Sequence, residues 1–288
     1  MSKPVDNRAW FLVSPAVLLM VFIGLVPLAT VINYSFHDIF ALPEKYWVGF
    51  EWYAELITSD RFHESFARSL CFSLVVIGIQ FPIGILVALS LPRTGIFVPV
   101  FLVIFALPLL VPWNMIPVMW LSLFNQDTGL LASFLESSLN LRLNWKLNPY
   151  HTWLLIVMMD VWHWTSLVAI LCYSSLTTVP AEYYRAAAID SARRWQVFLY
   201  IELPGMRQVL LMALLLRVMD SFMIYTEAFG INAGGPRNAT MFLAMDLGEE
   251  IKAFNYGPSA ARSVVYFLIV ITIAWAFKVA LNSRDRQG

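Results

Sequence analysis

The sequence predicts an all-α polytopic membrane protein with six transmembrane helices. Three observations predict it. Charged residues make up 13% of the 288 and hydrophobic residues 59%, against roughly 25% charged in soluble domains. Mean hydropathy is +0.69. The apolar residues also fall in continuous blocks, each near the ~20 residues that a helix needs to cross hydrocarbon. Ten-residue alternating segments, the mark of a strand barrel, are not the pattern here.

The first span covers about 10–34, and nothing from Ala9 to Phe36 is formally charged. That run is too long for the apolar region of a cleaved signal peptide, and no small-x-small site follows it. The second span covers about 69–91 and the third about 97–123, interrupted by Pro108 and Pro112. The fourth, about 152–176, contains Asp160. The fifth, about 209–230, contains Arg217, Asp220 and Glu227, and the sixth, about 263–281, carries Lys278 near its end. Residues 1–288 read as a single transmembrane domain of six spans without low-complexity segments or a clear repeat. Cys71 and Cys172 both lie in apolar runs and read as packing residues rather than a disulfide or zinc pair.

Lys and Arg near span ends set orientation. With both termini cytoplasmic, ten of the nineteen fall inside: Lys3, Arg8, Arg93, Arg185, Arg193, Arg194, Arg207, Lys278, Arg284 and Arg286. Eight fall outside and Arg217 lies in a span. The inner segments have about half the outer length, so the cation density differs about twofold in the direction of the positive-inside rule. Formal net charge is zero, which argues against nucleic acid as a partner, because no cation excess exists to release counterions. No G-x-x-x-x-G-K-[ST] loop occurs, so any ATP used must be bound by another chain.

The inner link 177–207 is the most patterned stretch. Pro180 can open a helix, and Pro204 is expected to end the run. Ala186–Ala188 give a smooth surface of high helix propensity. Asp190, followed by Ser191, is expected to cap a second short helix. Ala188, Ala192, Trp195 and Leu199 then share one face, and Arg185, Ile189, Arg193 and Gln196 another. Such a helix–turn–helix can enter a partner's groove. The same pattern also fits an ordinary amphipathic surface helix, solvated on its charged side.

This segment, 180–204, resembles the coupling-helix motif of binding-protein-dependent ABC importer permeases, written EAA…DGA……F…LP. Ala186-Ala187, Asp190, Ala192, Phe198 and Leu203-Pro204 stand at the matching positions. Arg185 replaces the motif's Glu and Ser191 its Gly. Glu182, one turn earlier, offers a substitute acid. The serine suggests a turn that does not require positive φ. Val48-Gly49-Phe50-Glu51-Trp52-Tyr53 is similar to FVGLENY of the sugar-type branch, and Asn232 to Thr240 (NAGGPRNAT) to its lTgGGPxxaT.

The resemblance implies the type I ABC importer permease fold in a bacterial inner membrane. It implies partners: a pair of ATP-binding subunits, a second and different permease chain, and a periplasmic solute-binding protein. ATP and Mg would sit on the ATPase, and no cofactor or metal on this chain. Glu182, Arg185, Ala186, Ala187, Asp190 and Ala192 would couple to that ATPase. The cargo would be a small neutral carbohydrate-like solute, a sugar or a polyol such as glycerol, because Arg217 is the only cation well inside a span and a phosphorylated ligand wants several.

Ionisable groups inside spans are candidates for the substrate path. Asp160 and His163 sit among Trp162 and Trp164. They can meet hydroxyls while the rings stack on sugar C–H faces, or they can form an inter-helix contact. Arg217 and Asp220 share a helix face and can pair, with Tyr225 further along. Trp113 and Asn114 follow the Pro108 and Pro112 breaks, which either expose backbone to a cavity or make a plain kink. Gly234-Gly235-Pro236 permits a tight outer turn. An ion-coupled secondary transporter or channel using Asp160, Asp220 or Glu227 is the alternative. A membrane enzyme lacks any catalytic constellation, since His37, His63 and His151 have no ligand or triad spacing.

Overall fold

The computed structural model describes residues 8–41 and 44–285. Lys3 and Arg286, counted above on the inner side, lie outside them. The chain is mainly helical: α1 (Arg8–Tyr34), α2 (Glu51–Thr58), α3 (Asp60–Ser90), α4 (Val98–Leu110), α5 (Met115–Leu123), α6 (Leu130–Leu139) and α7 (Pro149–Thr178). It continues with α8 (Ala181–Ile189), α9 (Arg194–Val197), α10 (Leu203–Phe222), α11 (Thr226–Asn232), α12 (Leu243–Lys252) and α13 (Tyr256–Asp285). Five helical stretches are long and apolar enough to cross a membrane, and the bent pair α4–α5 makes a sixth if counted as one span.

Two compact units are distinguished. One comprises 1–62 with 247–271, the other 63–246 with 272–288. In the first, the chain leaving α1 turns into a hairpin that the sequence reading missed, β1 (His37–Ala41) antiparallel to β2 (Glu44–Trp47). The VGFEWY stretch secures it. Gly49 takes φ +64° to enter α2. The Trp52 indole N–H donates to the His37 carbonyl at 3.1 Å, and Tyr53 Oη lies 2.6 Å from Ser35 Oγ. A Cβ on Gly257 would collide with that same His37 carbonyl and with Trp52 Nε1. These residues therefore have a visible packing role.

In the second unit the core lies between α3, α5, α7, α11 and the turn before α12. Phe72, Val76, Ile116, Trp120, Leu155, Ile156, Met159, Ala228 and Phe242 are buried there. Gly84 lets α3 approach α7 closely, since an added Cβ would stand 2.7 Å from Val168 Cγ1 and 2.8 Å from Val168 Cβ. Cys172 is buried in a second cluster with Val168 and Met206. Cys71 is exposed, so only one of the two cysteines packs inside this chain.

Two of the expected spans are broken. The third is split into α4 and α5, which meet at 102°. Pro112 is the cause: a residue before proline is driven out of the α region, and Val111 is extended at φ −73°, ψ 124°. The fifth was expected to run unbroken over 209–230, but α10 stops at Phe222 and α11 restarts at Thr226.

The patterned inner link is helical as expected, with three corrections. First, Asp190 is the C-cap of α8 and does not cap the next helix. That helix starts after Arg193, whose N–H donates to Gln196 Oε1 at 2.7 Å. Second, Ser191 stands at φ +52°, so the turn does need the left-handed region. Ala192 N–H bonds to the Ala187 carbonyl at 2.9 Å and Ser191 N–H to the Ala188 carbonyl at 3.2 Å. This is the Schellman closure, in which glycine is favoured where Ser191 stands. Third, Pro204 does not end the run. A π-helical turn, Phe198–Glu202, carries α9 into α10, and the Leu203 N–H reaches back to the Phe198 carbonyl. Pro204 then sits in the first turn of α10, where its missing N–H costs nothing.

Candidate functional site

The site is built where α3, α7 and α10 meet in the second unit. Each of these helices is predominantly apolar, so a polar group facing the bundle must find a partner on a neighbour. Arg217 on α10 is fully buried and uses its three donor groups on three residues. Nε donates to Gln80 Oε1 on α3 at 3.0 Å, Nη2 to Asp160 Oδ1 on α7 at 2.6 Å, and Nη1 to Asp220 one turn on. Gln80 Nε2 completes the circuit, donating to Asp160 Oδ1 at 2.6 Å and to the Asp160 backbone carbonyl at 3.1 Å. The guanidinium also lies 4.5 Å from the centre of the Trp164 ring. A second cross-link joins Ser73 Oγ to Ser221 Oγ at 2.6 Å. Gln80, Asp160 and Arg217 therefore tie three helices together, and breaking such a buried pair from one side costs several kcal/mol.

Beside this clamp is a cavity of about 200 Å³ lined by Trp113, Asp160, Trp164, Asp220, Met223, Ile224, Tyr225, Thr226 and Glu227. Both helix breaks open onto it. Trp113 comes from the α4–α5 break, and Met223 to Tyr225 are the unwound residues between α10 and α11. Non-helical backbone at membrane depth is tolerated where it lines a cavity. Trp113 and Trp164 stand 6.0 Å apart at 57°. The Trp113 indole N–H donates to His163 Nε2 at 3.1 Å, which holds the Trp113 ring. Glu227, in the first turn of α11 where the helix dipole favours an acid, is 7% exposed. It makes no ion pair or hydrogen bond to another described residue, whereas Asp220 is held by Arg217.

Of the expected pathway residues, Trp113, Asp160, Asp220 and Tyr225 line this cavity. Arg217 lies behind the acids, and His163 supports Trp113. Asn114 is exposed at the start of α5 and does not line it. The sequence reading missed Gln80, although it is the only amide in the apolar run 69–91. It gave the Trp164 ring a sugar-stacking role without counting it among the pathway residues, and gave Glu227 a place only in the ion-coupled alternative.

On the inner link, Ala187 is buried while Glu182, Arg185, Ala186 and Asp190 are exposed and Ala192 is half-buried. Tyr183, Ile189 and Trp195 are exposed, with Ile189 at 83%. The Arg93 guanidinium packs 3.6 Å from the Tyr184 ring, and Arg194 Nη1 meets the buried Glu202 Oε2 at 2.5 Å. The NAGGPRNAT loop has Ala233, Gly234, Gly235, Arg237 and Asn238 at positive φ. It is tied down by the Trp153 indole donating to the Ala239 carbonyl at 2.7 Å. Among the described residues no group of His, Cys, Asp and Glu is arranged to hold a metal ion.

The family described as binding-protein-dependent transport system inner membrane component matches residues 80–284, which include the clamp, the cavity and the inner link. The chain belongs to that family. This permease is thus a multi-pass inner-membrane protein of an ABC import system, a transport component rather than the catalytic one. It is 27% identical over 282 residues to the trehalose/maltose transport system permease protein MalF of Thermococcus litoralis, covering 96% of this chain and 94% of that one. It is 28% identical over 253 residues to the diacetylchitobiose uptake system permease protein DasB of Streptomyces coelicolor, covering 84% and 75%. These relatives agree with the sugar-type branch that the sequence motifs resemble. Its fold matches a bacterial ABC transporter involved in the import of the acidic polysaccharide alginate, with a TM-score of 0.77, 17% identity, and 95% and 96% of the two chains covered.

Proposed function

We propose that this permease forms half of the translocation pathway for a neutral carbohydrate-like solute, a sugar or a polyol such as glycerol, and passes it through the Trp113–Trp164–Glu227 cavity. The observation that carries the reading is the convergence of two helix breaks on one cavity. That cavity combines aromatic faces with carboxylate acceptors in a family whose relatives here serve trehalose, maltose and diacetylchitobiose. Indole faces can stack on sugar C–H faces, while carboxylates accept from hydroxyls.

The whole chain acts as one permease domain of six spans, the bent α4–α5 pair being one of them, with both termini cytoplasmic. A second, different permease chain completes the pathway, and a periplasmic binding protein delivers solute beside the NAGGPRNAT loop. Two ATPase subunits bind ATP and Mg. Their grooves receive α8 and α9, with Glu182, Arg185, Ala186, Ala187, Asp190 and Ala192 on or beside the contact. ATP favours the closed ATPase pair over the open one, and a rigid seated helix transmits that free-energy difference to the spans. The ion-coupled alternative has less support, because Asp160 and Asp220 are occupied by Arg217.

The test is Asp190→Lys in the assembled importer reconstituted in vesicles. Uptake is expected to fall while ATP hydrolysis no longer responds to loaded binding protein. Unchanged uptake with normal stimulation would remove Asp190 from the coupling contact.

A further inference from the structure

The charge around the cavity is one-sided. Asp160, Asp220 and Glu227 line it, and the cation among them, Arg217, is fully buried with each of its donor groups already engaged. Arg217 is fully buried and is not part of the cavity wall, so it presents no donor to a ligand there. Glu227 is 93% buried, has no partner on another described residue, and faces the cavity. Such a group is costly to hold without a donor from another residue, and the cavity it faces can supply one. The fold does not dictate this sign, because the same fold serves an importer of an acidic polysaccharide.

We infer that Glu227 and Asp220 form a charge filter at the α10–α11 break, accepting hydrogen bonds from a hydroxylated or amine-bearing ring and rejecting a carboxylated one. The inference rests on the cavity being the sugar pathway and adds the property that selects its cargo. A ligand hydroxyl or ammonium donates to Glu227 and Asp220. A ligand carboxylate brings a third uncompensated negative charge into a site of low polarisability, and like charges so placed are strongly disfavoured. Trp113 and Trp164 bind the ring of all three sugar types alike, so discrimination falls to the acids. At about 200 Å³ the cavity is smaller than the roughly 300–1,000 Å³ of sites for drug-sized molecules, which suits one ring at a time.

The experiment uses the importer complex purified through the full chain in mild detergent. Binding of radiolabelled glucose is measured and challenged with unlabelled glucose, glucosamine and glucuronate, three rings of nearly one shape. Glucosamine is expected to displace the label at or below the glucose concentration, and glucuronate only at about tenfold more or higher. Glu227→Gln should bring glucuronate to within about threefold of glucose, and Asp220→Asn should act in the same direction. Glucuronate competing as well as glucose against the unaltered protein would overturn the filter, without recourse to any variant. So would a filter that persists in both variants. Trp164→Ala separates the two levels. If glucose does not bind, or binds undiminished in that variant, the cavity is not the sugar pathway and the filter falls with it. If Trp164→Ala abolishes binding but charge makes no difference, the pathway stands and the filter alone is wrong.

Discussion

Replacing Arg217 with methionine isolates the contribution of the clamp. Methionine keeps the aliphatic volume and removes the guanidinium. The Arg217 side chain is 0% exposed and that of Asp160 3%. The variant therefore leaves the Asp160 carboxylate buried with Gln80 Nε2 as its one remaining donor, and it strands Gln80 Oε1. Removing one partner of a buried pair costs about 3–5 kcal/mol. At about 2–4 °C per kcal/mol for chains of 150–250 residues, the melting temperature should drop by about 6–20 °C. Cys172, buried and unpaired, reports unfolding to a thiol-reactive fluorophore once exposed Cys71 has been changed to serine. Adding Asp160→Asn to Arg217→Met should recover more than half of the loss. Asparagine still accepts from Gln80, and Asp220, 35% exposed beside the cavity, can be solvated. A single variant melting within about 2 °C of its parent, or a double variant losing the sum of both, would refute the clamp.

Three more outcomes follow from local geometry. Gly84→Ala should destabilise by about 1–3 kcal/mol, read by the same thiol assay, because its methyl meets Val168 across the α3–α7 contact. Ser191→Gly should relieve about 1 kcal/mol of left-handed strain and slow amide exchange over residues 186–197, while Ser191→Val should speed it. Gly257→Ala should disturb the hairpin by pressing on the His37 carbonyl, raising its susceptibility to limited proteolysis by about tenfold, the ratio set by ~1.4 kcal/mol.

The spans were legible because each is a long apolar block, and Pro112 announced the bend between α4 and α5. The second break left no such mark. The sequence from Ser221 to Glu227 contains neither proline nor glycine, and α10 stops where buried Phe222 and Ile224 join the core and where Ile224, Tyr225 and Thr226 favour helix only weakly. Gln80 was overlooked because an amide carries no charge and so is not among the ionisable groups that mark a span, although its two ends are what allow one carboxylate and one guanidinium to share a neighbour. Arg217 and Asp220 were readable as an i,i+3 pair. That Asp160 joins them from another helix is a matter of packing and has no signature in spacing. At the inner link, the motif fixed the place of the turn, but serine concealed its positive φ, and the π-helical register that admits Pro204 is invisible to a 3.6-residue period.

The central claim is that this chain moves solute only when driven by ATPase subunits seated on residues 180–204. Vesicles containing the assembled importer, with binding protein and labelled solute outside and ATP inside, measure it directly. The account predicts ATP-dependent accumulation that disappears when the ATPase subunits are omitted. Accumulation by the permease chains alone, or import undiminished after the order of residues 180–204 is scrambled, would contradict it.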